Sequence, residues 1–242
     1  MRTDSYWQLS RTPRYSLLFA LPLLLLYEAL ALALGGVTGG VRNGADAILR
    51  TLFAAVAGEW GTAVLAAVLV GGSAWLIVRD RRRNRAPLRG RVFAGMMAES
   101  LALASVLGAV VGLLTVQLLR PVLAVSDGAI QSLGLAERLM LSLGAGLYEE
   151  LLFRVVLVTL LAAGARTILG LGARGAGVFA VLVGALLFSA AHHVGAYGEP
   201  LALVPFTFRF VAGVVFSALY LLRGFGITAW THALYDVFVL VF

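Results

Sequence analysis

Residues 15–34 read YSLLFALPLLLLYEALALAL, an apolar block interrupted by a single charged side chain, Glu28. A helix of about 20 such residues is about 30 Å long, the thickness of a bilayer's hydrocarbon core. The same kind of block recurs at about 60–78, 92–119, 134–163, 176–194, 204–223 and 226–242. The chain has 242 residues, of which 61% are hydrophobic, and too little polar sequence to coat a soluble domain. The mean hydropathy of +0.95 agrees. These features predict an all-α fold, a polytopic transmembrane helical bundle of about seven spans. An eighth is expected if the shorter, partly polar stretch 44–58 crosses rather than lying at the interface or re-entering. With no internal repeat or low-complexity linker in view, residues 1–242 read as one integral membrane domain.

The ends of the blocks set the expected orientation. Arg79, Arg81, Arg82, Arg83, Arg85, Arg89 and Arg91 crowd residues 79–91 with only Asp80 opposing them. Arginine-rich connectors stay in the cytoplasm. On that basis 164–175, with Arg166 and Arg174, also faces the cytoplasm, 120–133 and 195–203 face outward, and the N-terminus is inside. The first block is long and lacks a polar region with a small-x-small cleavage site. It reads as a retained helix rather than a signal peptide.

Composition narrows the chemistry. Cysteine is absent, which removes disulfides, thiolate metal sites and a cysteine nucleophile. Lysine is absent too, so Schiff-base chemistry is out. The formal charge of +7 does not mark a nucleic-acid partner, because the arginines lie between apolar blocks where topology explains them. The partner that composition does mark is the lipid bilayer.

An ionisable side chain inside a bilayer costs several kcal/mol (about 2–3 at least) unless it is paired or hydrated, so each one calls for a reason. Asp4, Asp46, Asp80, Asp127, Glu59, Glu137 and Glu199 fall in loops or near helix ends. Glu28, Glu99, Glu149, Glu150 and Asp236 fall inside predicted spans, and His192, His193 and His232 lie within spans or at their ends. Glu28 and Glu99 read as interhelical hydrogen-bond partners or as residues near water, and Arg209 as a residue that pairs with a carboxylate or lines a cavity.

Three patterns organise the rest. In Glu149-Glu150-Leu151-Leu152-Phe153-Arg154, Glu150 and Arg154 stand four apart on one helical face and can form an ion pair. Glu149 is rotated about 100° from Glu150 and is free to face something else. Phe188-Ser189-Ala190-Ala191-His192-His193 ends an otherwise apolar helix. In His232-Ala233-Leu234-Tyr235-Asp236, the histidine and the aspartate again share a face. Taken singly, Glu149, His192 and His232 could each be a buried structural polar group.

Together, Glu149, Glu150 and Arg154, then Phe188 and His192, then His232 and Asp236 resemble the CaaX protease and bacteriocin-processing family of intramembrane glutamic proteases. Its motifs are EExxxR, FxxxH and HxxxN or HxxxD on successive helices. The resemblance covers about 134–242 and implies an endopeptidase that cleaves a membrane-anchored protein or peptide and needs neither cofactor nor metal. It makes Glu149 the general base, with His192 helping to hold the water, and His232 with Asp236 the oxyanion-stabilising pair. Glu150 and Arg154 become the supporting ion pair and Phe188 a packing residue, while His193 has no counterpart and reads as a hydrogen-bonded packing residue. Some members carry asparagine where this chain has Asp236. An ionised aspartate would repel an oxyanion, so Asp236 is expected to act by orienting or charging His232.

Other intramembrane protease chemistries lack their residues. There is no HExxH, Asp236 is the only aspartate within a span, and Gly71-Gly72-Ser73 is a poor serine-protease setting. The remaining alternatives are a metal-dependent membrane hydrolase using Glu149, His192, His232 and Asp236 as ligands, a proton-coupled carrier, and a non-catalytic scaffold. Alanine, glycine and arginine usage without lysine looks like a GC-rich bacterial genome. Residence in the inner membrane and maturation of an envelope or secreted protein are therefore expected, rather than cleavage of a prenylated substrate.

Overall fold

The computed structural model describes residues 5–35, 42–119, 134–194, 198 and 200–240. Asp4, Asp127, Glu199 and the segments 120–133 and 195–197 lie outside the described residues. Among the described residues, helix is the only regular secondary structure. In chain order the elements are α1 (Tyr6–Leu9), α2 (Pro13–Ala33), α3 (Gly44–Ala57), a 3₁₀ turn (Gly58–Trp60), α4 (Gly61–Arg83) and α5 (Gly90–Leu119). Then comes an unbroken rod made of α6 (Leu135–Gly144), a π-helical segment (Ala145–Val158) and α7 (Thr159–Thr167). The chain continues through α8 (Ala173–Ala191) and α9 (Leu203–Arg223) to α10 (Phe225–Leu240).

Among the described residues five stretches are long and apolar enough to cross a membrane: Pro13–Ala33, Gly44–Arg83, Gly90–Leu119, Ala173–Ala191 and Leu203–Arg223. The rod from Leu135 to Thr167 and α10, which carry most of the ionisable motif residues, account for the other two predicted spans. Large apolar side chains such as Leu25, Leu26, Val70, Val106, Leu113 and Leu118 point outward, as a bundle solvated by lipid requires. Helix α3 has 14 residues, about 21 Å, too short to cross alone. It folds back on α4 through the 3₁₀ turn, where Gly61 packs so closely that a β-carbon would lie 2.5 Å from the Ala54 backbone.

The charged connector is shorter than expected. Helix α4 runs through Arg81, Arg82 and Arg83 in its last turn, so only residues 84–89 link it to α5. Cations at a helix C-terminus meet the negative end of its dipole, and Arg79 also lies over the Trp75 ring, 5.1 Å from its centroid. At this end of the bundle Arg14 pairs with Asp80 at 3.6 Å and donates to the Ala86 carbonyl. Nearby, Arg223 grips Glu99 through two nitrogens, and Tyr6 donates to the same carboxylate at 2.6 Å. Glu99 is therefore an interhelical partner, as its place in the sequence predicts.

Helix α10 is the hub of the bundle. It touches α2, α5, α6, the π-helical segment and α9. Ile227, Thr228, Ala229, Thr231 and Ala233 are each at most 1% exposed. Small residues allow this crowding, as is general where helices pack in lipid. A β-carbon on Gly146 would collide with the Ala229 carbonyl oxygen and lie 2.6 Å from the Ala233 methyl group. Polar bonds fix α10 along α2: the Gly226 amide donates to the Ser16 hydroxyl and the Trp230 indole to the Phe19 carbonyl, each at 2.6 Å.

Candidate active site

The π-helical segment holds the first motif. Hydrogen bonding from i to i+5 is rare over more than a turn and tends to mark functional sites. Adjacent residues point different ways here, and Glu149 and Glu150 engage separate partners. The Glu150–Arg154 pair deduced from spacing is present, with Nε to Oε2 at 3.3 Å. Both side chains are buried, at 0% and 1% exposure. Glu150 also does what spacing does not show: its Oε1 accepts from His232 Nδ1 at 2.7 Å, joining the rod to α10. The Arg154 guanidinium has no geometrically sound hydrogen bond among the described residues. It is held by the Glu150 charge and by the Phe188 ring, whose centroid lies 4.3 Å from Cζ. Phe188 is thus both packing residue and cation–π partner.

Glu149 faces the other way, towards α8 and α3. Its Oε2 lies 3.9 Å from His192 Nε2, too far for a direct hydrogen bond. Its Oε1 accepts from the Asn43 side-chain amide at 2.8 Å. His192, just beyond α8, has Nδ1 2.9 Å from the Phe188 carbonyl oxygen. A carbonyl can only accept, so Nδ1 carries the proton, and in the neutral ring Nε2 presents a lone pair towards Glu149. His192 sits at the far end of a 19-residue helix, whereas His232 is midway along the 16-residue α10. The two converge because neighbouring glutamates reach one histidine each.

The third motif completes the cluster. His232 Nε2 lies 3.8 Å from Asp236 Oδ2, so this ring has a carboxylate near each nitrogen. Phe216 of α9 stacks on it at 4.2 Å with 22° between the planes, which fixes the ring's orientation. Arg209 lies within electrostatic range of His192 and Asp236. His193 points away and stacks on Phe206 at 5.8 Å, in keeping with its packing role. Among the described residues no group of three or more histidine, aspartate or glutamate side chains converges as a metal-binding set.

Two residues here are missed by the motif reading. Asn43 precedes a stretch read as interfacial, and Phe216 is one of many aromatics in an apolar span. The sequence does carry a weak signal at Asn43, a helix N-cap residue followed by an acidic first turn. Around it lies a polar girdle: buried Asp46 accepts from Arg42, Arg50 and the Tyr27 hydroxyl at 2.6–2.8 Å. Glu28 accepts from Arg50 at 3.0 Å and from the Tyr148 hydroxyl at 2.7 Å. Glu28 is thus an interhelical partner too, anchoring the residue next to Glu149.

Fold and site together define a polytopic helical membrane protein with a carboxylate–imidazole cluster enclosed in its bundle. Residues 131–238 match the family model described as Rce1-like, type II CAAX prenyl endopeptidase Rce1-like, so this part of the chain is an Rce1-like domain, in line with the three motifs. The match supports a membrane endopeptidase of the CAAX-protease type. No curated protein and no solved structure matches the chain.

Proposed function

We propose that the chain is an intramembrane endopeptidase that hydrolyses a membrane-associated protein or peptide with water activated by Glu149. The observation that carries this reading is the 3.9 Å separation between Glu149 Oε2 and His192 Nε2. It is too long for direct bonding and suits one water donating a hydrogen bond to each acceptor. Glu149 takes the proton as the water oxygen bonds to the scissile carbonyl carbon. It then delivers that proton to the departing amide nitrogen as the C–N bond breaks. General base catalysis of this kind contributes about 100- to 10,000-fold.

His232 serves the oxyanion. Its Nδ1–H is committed to Glu150, which leaves Nε2 as the donor, with Glu150 and Asp236 supplying the counter-charge of a doubly protonated ring. One positioned donor of this type is worth about 3 kcal/mol in an acyl-transfer transition state. Asp236 acts through His232 rather than on the oxyanion directly.

The orientation follows from the arginines: residues 84–89 lie in the cytoplasm, and the protein resides in a bacterial inner membrane. The chain has no cysteine, so a single Arg85→Cys reports the side. An impermeant maleimide should label it in inverted vesicles but not in intact cells, and labelling of intact cells would reverse the topology. The catalytic reading is tested by comparing protein termini in the host's membrane and secreted proteomes for wild type and Glu149→Gln at matched expression. New termini confined to the wild type are expected, and their sequences identify the substrate. Identical termini in the two strains would remove Glu149 as the base.

A further inference from the structure

The Rce1-like match ends well short of α2 and α3, yet these helices reach into the site through one side chain, Asn43. We propose that Asn43 is a positioning residue for Glu149, an inference that rests on the reading of Glu149 as the base. Asn43 is buried, and every polar group it has is engaged. Its amide N–H donates to the Tyr27 hydroxyl at 3.3 Å, and its carbonyl accepts from the Ala47 amide at 3.0 Å. Its Oδ1 caps α3 by accepting from the Ala45 amide at 2.9 Å.

The capping bond decides which way the side-chain amide is turned. Oδ1 must face the Ala45 N–H, so the group directed at Glu149 is the NH₂, a donor. That donor holds Glu149 Oε1 at 2.8 Å and leaves Oε2 on the His192 side. The residue is itself held fast. Tyr27 donates to buried Asp46, and a β-carbon on Gly144 would lie 2.7 Å from the Asn43 β-carbon. The residue beside Glu149 is tied to the same girdle through the Tyr148–Glu28 bond. The N-terminal half of the chain therefore completes the site by fixing which carboxylate oxygen is available to water.

The capping role and the positioning role separate by substitution. Aspartate and serine cap a helix about as well as asparagine, but neither presents an amide donor to Glu149. The probe is the host's total membrane protein, and the readout is the rate at which Glu149-dependent termini appear, normalised to folded enzyme. Glu149→Gln runs in parallel, and melting of each solubilised variant is recorded. Asn43→Ser should melt near wild type, and Asn43→Asp should melt lower because its second oxygen faces the Glu149 carboxylate. Each should lose about ten- to a hundredfold in rate, the range for a hydrogen bond to a charged group. Either variant alone suffices if the other folds poorly. Cleavage within twofold of wild type by the Asp or Ser variant, with Glu149→Gln inactive, would overturn the positioning role while leaving Glu149 as the base. Cleavage by Glu149→Gln would overturn the underlying reading instead.

Discussion

Replacing Arg154 with methionine should destabilise the bundle severely, and the geometry sets the magnitude. Arg154 and Glu150 are both enclosed, and their charges stand 3.3 Å apart. Methionine fills similar space and keeps an apolar contact with the Phe188 ring, so cavity formation is a minor contribution. What is lost is the compensation of a carboxylate that then has only His232. Breaking a buried pair from one side costs about 3–5 kcal/mol, which lowers the folded-to-unfolded ratio by about two to almost four powers of ten. Removing both charges in Glu150→Gln/Arg154→Met leaves nothing uncompensated, and a glutamine oxygen still accepts from His232. The double variant should regain most of the loss, a coupling of about 2 kcal/mol or more between contacting residues. Helicity followed through a denaturing-detergent titration in mixed micelles measures all four proteins. A single variant within about 1 kcal/mol of wild type, or a double variant equal to the sum of the singles, would refute the claim that this pair is a buried charge pair.

Two further outcomes follow from the packing and from the end of the bundle that carries α1. Gly146→Ala places a methyl group against the Ala229 carbonyl and the Ala233 side chain, which pushes α10 away from the rod. Overpacking of this kind costs about 1–3 kcal/mol. Because it also parts His232 from Glu150, the cleavage rate should fall further than stability does, and a variant unchanged in both would contradict the packing described. Tyr6, on α1 outside the spans, has its phenol pushed up to about 12 by burial and by the Glu99 carboxylate that its hydroxyl bonds. Its folded-state value lies above the unfolded one, so its contribution to stability is complete below about pH 10 and lost as pH rises towards 12. Ultraviolet titration of wild type minus Tyr6→Phe should therefore show the tyrosinate step near pH 12. A step near pH 10 would sever the contact with Glu99.

The spans were legible because length and apolarity act alone in defining them. The block read at 15–34 is the helix Pro13–Ala33, and that read at 226–242 is Phe225–Leu240. Spacing also gave the Glu150–Arg154 pair, since residues four apart stay on nearly one face whether the turn is α- or π-helical. Contacts between helices were beyond that logic. Glu150 meets His232 across 82 residues and Glu149 meets Asn43 across 106, and no periodicity encodes either. The π-helical segment was equally hidden, because its side chains are those of an α-helix and its hydrogen-bond register is a product of packing. Helix α10 is last in chain order, and nothing in its position along the chain marks it as the helix against which the others pack. Its small residues, Ala229 and Ala233, gain their meaning only from Gly146 opposite them.

Everything proposed for this site rests on Glu149 activating a water that hydrolyses a peptide bond. The most direct measurement uses the reconstituted protein and one substrate found by terminus mapping, incubated in ¹⁸O-water with and without a strong metal chelator. For that role of Glu149, one ¹⁸O in the new carboxyl terminus and no effect of the chelator are expected. The rate should be about 100-fold or more lower in Glu149→Gln. Cleavage at the wild-type rate by Glu149→Gln, or its abolition by the chelator, would contradict that role.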